Sequence, residues 1–249
     1  MEFINRQDLS GAKVAAVRAS IEVSNEEPIV GDVTYPSTAE IKQRVYDTFP
    51  TQNRAVTQAD YENVAYRMHP KFGSIKRVSV QKDPDSQKRN LNMYVVSEDT
   101  AGKLTLSNST IKNNLKTWIN QYRMINDTID ILDPFILNFG LEFIAKPQNM
   151  ADKYIVLDRC MDALKKHFEQ PFFIGEPLYI SDIYKVLKDV VGILDVTKVK
   201  IFIKSGTGYS NAAIHVNENL SGDGSYLVVP NNAILELKFP EVDMIGTIR

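Results

Sequence analysis

The chain has 249 residues, and 29 Lys+Arg against 31 Asp+Glu leave a formal charge of −2. That length suggests one or two domains at about 150 residues each, and 43% apolar with 24% charged residues suits a globular protein able to bury a core. One cysteine excludes a disulfide framework or a Cys-rich zinc site, the near-neutral charge weighs against a dedicated nucleic-acid binder, and no apolar run nears the roughly 18 residues of a membrane span.

Met1-Glu2-Phe3 opens no signal-like apolar segment. Residues 1–53 read as an extended arm or linker, with too few large apolar residues at a sustained period to close a core. Gly11 to Ala19 suits a short helix and Ile21-Glu22-Val23 a short strand. Thr38 to Tyr46 suits another short helix, with Ile41 and Val45 one turn apart and Pro50 as its stop. Periodicity strengthens at Thr57-Gln58-Ala59-Asp60, where the Thr hydroxyl can accept from the third helical amide and Asp60 suits the positive helix start. Tyr61, Val64, Ala65 and Met68 follow on one face, and Pro70 with Gly73 ends the helix. Val78 and Val80 alternate into a strand, Asp83-Pro84-Asp85-Ser86 turns the chain, and Leu91, Met93 and Val95 return it as a hairpin.

Ile111, Leu115, Trp118, Tyr122, Ile125 and Ile129 fall at steps of 4, 3, 4, 3 and 4, one apolar stripe. It predicts a helix over 107–129 with Ser107 as N-cap, packed on the preceding sheet or forming a short coiled-coil seam. Asp133-Pro134 breaks it. Phe135, Leu137, Phe139, Leu141 and Phe143 alternate as a long strand, and Ile136 and Ile144 suggest partial cover on its second face. Met150 to Gln170 predicts a helix with Val156, Leu157, Cys160, Met161, Leu164 and Phe168 inward. Ser181 caps another with Ile183, Val186, Leu187 and Val190 inward, ended by Gly192 in a left-handed cap. Val199, Ile201 and Ile203 alternate with lysines, and Tyr226–Val229 and Ala233–Phe239 read as two further strands.

The order is an αββα block over 54–134 and a βααβ block with C-terminal strands over 135–249, the boundary moving to about 147 if the 135–145 strand belongs to the first block. Helices and strands do not alternate strictly, so the fold class expected is α+β: small mixed or antiparallel sheets with helices packed on one face.

Chemistry is sparse. His69, His167 and His215 lie far apart and outside metal-binding spacings. Cys160 and His167 are about 10 Å apart along a helix, too far for a nucleophilic pair. Gly206-Thr207-Gly208 lacks the lysine of a phosphate loop, and Asp83-Pro84-Asp85-Ser86 lacks the glycine and glutamate of a calcium loop. Lys76, Arg77, Lys82, Lys88 and Arg89 cluster on the hairpin without aromatics for base stacking. The loop Pro171-Phe172-Phe173-Ile174 is apolar and is the candidate contact surface, weighed against a role plugging the core.

Gln52-Asn53-Arg54-Ala55-Val56-Thr57-Gln58-Ala59-Asp60-Tyr61, between a short helix and a helix–strand pair, resembles the baseplate J-like family of contractile-tailed phages and related injection machines. Gly175-Glu176-Pro177-Leu178-Tyr179-Ile180-Ser181, running on into Val190-Val191-Gly192-Ile193-Leu194-Asp195-Val196, is similar to a second family stretch. Pro230 to Leu237 resembles the wedge proteins of T4-like phages. The resemblance implies the C-terminal portion of a longer baseplate wedge protein: a virion structural protein of the inner baseplate ring, assembled in the host cytoplasm, relaying conformational change during contraction. Its implied partners are a second copy within a wedge, other wedge chains and neighbouring wedges, with no membrane or nucleic acid. No enzymatic activity, cofactor or metal is implied. Arg54, Thr57, Asp60, Tyr61, Gly175 and Gly192 carry over as fold determinants; Phe172, Phe173 and Ile174 remain the interface candidates. Two other readings stand beside it: a nucleic-acid module using the 76–89 hairpin and the 198–204 strand, and a hydrolase using Asp83, Asp85, Asp99, Asp223 or Glu241.

Overall fold

A computed structural model describes residues 36–49, 53–84, 90–149 and 152–249, with isolated positions between 11 and 20. The helix expected over 11–19 and the strand at 21–23 therefore lie wholly or largely outside the described residues, as does the second half of the turn expected at 83–86.

Helix α1 (Thr38–Thr48) is capped by Ser37, whose hydroxyl accepts from the Glu40 amide. Helix α2 (Gln58–Tyr66) starts in a full capping box: the Thr57 hydroxyl accepts from the Asp60 amide, and the Asp60 carboxylate accepts from the Thr57 amide. A short 3-10 turn (Pro70–Phe72) leads into β1 (Arg77–Lys82), which pairs antiparallel with β2 (Asn90–Glu98). On the other edge of β2, β3 (Leu104–Leu106) pairs antiparallel and β4 (Thr128–Leu132) parallel. Helix α3 (Ser109–Ile119) lies between β3 and β4 in sequence. One face of this sheet is covered by the helices. Tyr61, Val64 and Ala65 from α2 and Ile111, Leu115 and Ile119 from α3 bury Val78, Val80, Met93, Val95 and Ile129.

The second sheet is built around β5 (Phe135–Pro147). Strand β7 (Ile193–Lys204) pairs antiparallel along one edge, while β9 (Ala233–Glu236) and β10 (Met244–Ile248) pair parallel along the other. Helices α4 (Lys153–His167) and α5 (Ile180–Lys188) cover one face, with Val156, Cys160, Leu164, Ile183 and Leu187 buried against Leu137, Phe139, Leu141, Phe143 and Ala145. A two-stranded ribbon of β6 (Leu178–Tyr179) and β8 (Tyr226–Leu227) precedes α5, and a one-turn helix α6 (Pro240–Asp243) precedes β10. The fold class is α+β with mixed sheets. The faces turned away from α2 and α3 in the first sheet and from α4 and α5 in the second meet at one corner, where Val96 and Leu104 pack on Ile136 and Ile234.

Several expectations are corrected. The helix expected over 107–129 stops at Ile119; Tyr122 lies in the following turn, Ile125 is 94% exposed and Ile129 belongs to β4. Thr128-Ile129-Asp130-Ile131-Leu132 is itself an alternating strand that happens to continue the helical spacing. Its N-cap is Asn108, whose side chain accepts from the Thr110 amide. Ser107 is buried instead, its hydroxyl 2.9 Å from that of Ser97. Ser181 does not cap α5, which begins one residue earlier and has no side-chain cap, and Gly192 lies beyond its C-cap Asp189, in the turn entering β7. Met150–Gln170 narrows to Lys153–His167, and β9 ends at Glu236 rather than Phe239. Strands β3 and β10 were not expected: three residues are too few to show a period, and the Gly246 of β10 interrupts its own.

Candidate functional site

The segment Arg54 to Tyr61 forms the entrance to the first block. Arg54 and Thr57 are exposed and Ala55 is fully buried. Asp60 accepts from the Val56 and Thr57 amides. Burial acts to raise its carboxyl, but these hydrogen bonds and the nearby Arg54 charge outweigh that and hold it below the usual carboxylate range. The buried Tyr61 hydroxyl donates to Asp127 Oδ2 at 2.7 Å and accepts from the Met124 amide at 3.2 Å, tying α2 to the turn before β4. Burial, then the bond to Asp127, pushes that hydroxyl up to about 12. Gly175 has φ of +77° and Gly192 +103°, both in the left-handed region. A Cβ at Gly175 would meet Asn231 Cα at 3.2 Å, and one at Gly192 would meet Val156 Cγ2 at 2.8 Å.

Among its described residues the basic hairpin cluster is split, with Lys76 and Arg77 buried and Lys82 exposed. Lys76 is buried against Glu98 at 3.1 Å, and Arg77 is 2% exposed; Lys88 and Arg89 lie outside the described residues. The described loop carboxylates are engaged within the chain. Asp99 accepts from the Ala101 and Lys103 amides, and Glu241 pairs with Lys165 at 2.6 Å. Asp223 accepts from Ser221 and Ser225, which lower its carboxyl to about 2. Asp83 accepts from Asn90, and Asp85 lies outside the described residues. Cys160 is a core thiol raised to about 11 by burial. Among the described residues, no group of three or more His, Cys, Asp or Glu side chains is placed to hold a metal ion. No described helix is long and apolar enough to cross a membrane.

What the fold does assemble is a junction centred on Arg77. Its Nη2 donates to the Pro171 carbonyl at 2.9 Å and its Nε to the Phe172 carbonyl at 3.3 Å. Its Nη1 reaches the Lys76 carbonyl at 3.1 Å and Glu40 Oε1 of α1 at 2.9 Å. The Phe173 ring stacks 4.5 Å from the guanidinium carbon. A single buried cation thus joins α1, the first sheet and the loop after α4. An open groove of about 660 Å³ surrounds it, with Glu40, Arg44, Glu62, Tyr66 and His167 among its lining. Glu62 accepts from the Val80 amide and is raised by burial.

The apolar loop expected as a contact surface is divided by this junction. Phe172 packs edge-on against Phe139 and tilted against Phe168, and Ile174 packs at the corner between the sheets; Phe173 stays half exposed over Arg77. Within the chain, Phe172 and Ile174 thus fill space against the core and at the corner between the sheets. The Glu40–Arg77 pairing was missed because it spans 37 residues and leaves no local pattern.

No family model matches the chain, and no curated protein matches it. Among solved structures, a chain of the cryo-EM structure of the anti-feeding prophage baseplate, symmetrised sixfold, aligns with a TM-score of 0.47 at 10% identity. The alignment covers 85% of this chain and 42% of that one. The present chain thus spans less than half of that chain's length.

Proposed function

We propose that this chain is a structural subunit of a contractile-tail baseplate: a wedge component that self-associates, contacts other wedge chains and neighbouring wedges, and belongs to the inner baseplate ring. The observation that carries the reading is the segment Arg54 to Tyr61, which resembles the baseplate J-like motif. Its residues cap α2 and anchor it through Tyr61 to Asp127, the fold-determining role the resemblance implies. In this reading the protein resides in the tail of a virion or related particle after assembly in the host cytoplasm, and its work is mechanical rather than catalytic. In this reading the boundary between its two blocks lies near Asp133-Pro134, or near residue 147 if β5 (Phe135–Pro147) belongs to the first block.

Antibodies to the purified chain should decorate the sheath-distal end of isolated contractile tails in negative stain. Decoration along the sheath, or none, overturns the assignment. Light scattering over a concentration series should show a concentration-dependent dimer; a strict monomer at high concentration overturns self-association through these residues.

A further inference from the structure

Helix α1 is seated back to front. Its large apolar side chains are largely exposed, with Ile41 48%, Val45 66% and, at its C-cap, Phe49 91% exposed, and none of its residues is buried. Its polar face does the docking. The Glu40 side chain, only 12% exposed, pairs with Arg77, and Arg44 pairs with Glu40 and places its guanidinium carbon 3.9 Å from the centre of the Tyr66 ring. Nearly all ordinary surface helices bury the opposite face. Apolar burial, the dominant stabilising term in most helix docking, is therefore almost missing here.

Arg77 is also held by groups outside α1. The Lys76, Pro171 and Phe172 carbonyls and the Phe173 ring hold it from the body side. Glu40 supplies the one carboxylate of the set. The site is thus a guanidinium cradle, open to a groove and occupied by a carboxylate borne on a helix.

We propose that α1 is a releasable strap that occupies, within its own chain, a recognition site for a carboxylate-bearing helix of another chain. Release uncovers Arg77, Tyr66 and Phe173 for that acidic helix and frees the apolar side of α1. Because Glu40 already shows what the cradle accepts, the competing segment needs a carboxylate one turn from a polar, cation-bearing position, as Glu40 stands to Arg44. The inference rests on the geometry of the chain alone and stands or falls apart from the baseplate reading.

Hydrogen exchange on the full chain tests the strap. Amides of residues 41–48 should exchange at least tenfold faster in Glu40→Gln than in the natural chain, while those of α2 and α4 keep their rates. Equal protection of α1 and α4 in both proteins, or a uniform loss of protection across the chain, overturns the proposal. A labelled peptide of residues 37–49 tests the site. It should bind Glu40→Gln at least tenfold more tightly than the natural chain, measured by fluorescence anisotropy. The same peptide carrying Gln in place of its own glutamate should not bind, nor should the labelled peptide bind Glu40→Gln/Arg77→Met. Binding that ignores the peptide's carboxylate or survives loss of Arg77 overturns it, and circular dichroism on the double variant distinguishes a lost site from a lost fold.

Discussion

At the scale of single residues, Tyr61 shows how a local motif acquires a distant anchor. Its ring fills the core beneath α2 while its hydroxyl donates to Asp127 in the turn before β4. Tyr61→Phe keeps the ring and leaves a buried carboxylate short of one donor, so it should destabilise the fold by about 1–3 kcal/mol in urea denaturation. Asp60 acts through pH. Its folded carboxyl lies below the unfolded value of about 3.9, so its stabilisation is complete above that pH and fades as pH falls through the lower folded value. Asp60→Asn should therefore remove part of the acid sensitivity, by less than about 1 kcal/mol because the group is largely solvated. Both residues were legible beforehand as a helix start; the bond to Asp127 was not, since 66 residues separate the partners. At Gly192 a side chain meets both a positive φ and the Val156 methyl, so Gly192→Ala should cost at least about 1–3 kcal/mol in the same assay.

Among the elements, the best-read ones carry their own punctuation. Helix α2 has a capping box and a proline after its end, and β5 alternates over a long run, so each is specified locally. The stretch after Ile119 misleads because a strand of alternating β-branched residues falls into step with the helix before it. Asn120-Gln121 and Asn126-Asp127 were the turn residues that marked the break. The true cap makes a clear expectation: Asn108→Ala should lower stability by about 1 kcal/mol, whereas an exposed substitution such as Lys116→Ala should lie within about 0.5 kcal/mol. Helix α1 inverts the usual logic of an amphipathic helix: Ile41 and Val45, one turn apart, are largely exposed. Pattern alone gives the face of a helix but not which side the protein lies on.

On the scale of the whole molecule, two helix-covered sheets share one corner. Glu236 of β9 accepts from the Leu104 amide of β3 and from Asn138, so a polar bridge runs beside the apolar contact of Val96, Leu104, Ile136 and Ile234. Burial raises its carboxyl, but the two donors hold it in place. Glu236→Ala leaves both donors unanswered and should split a single calorimetric unfolding transition into two. The α+β class was readable from element order, but the corner was not, because its four side chains come from strands up to 138 residues apart. A quieter feature has a wider consequence. The Val78 and Val80 amides of β1, at the margin of the first sheet, are answered by the Tyr66 hydroxyl and the Glu62 carboxylate of α2. A foreign strand arriving there finds these donors already spent, so copies brought together at high concentration are steered away from fibrous stacking along this margin and left to meet through their side chains.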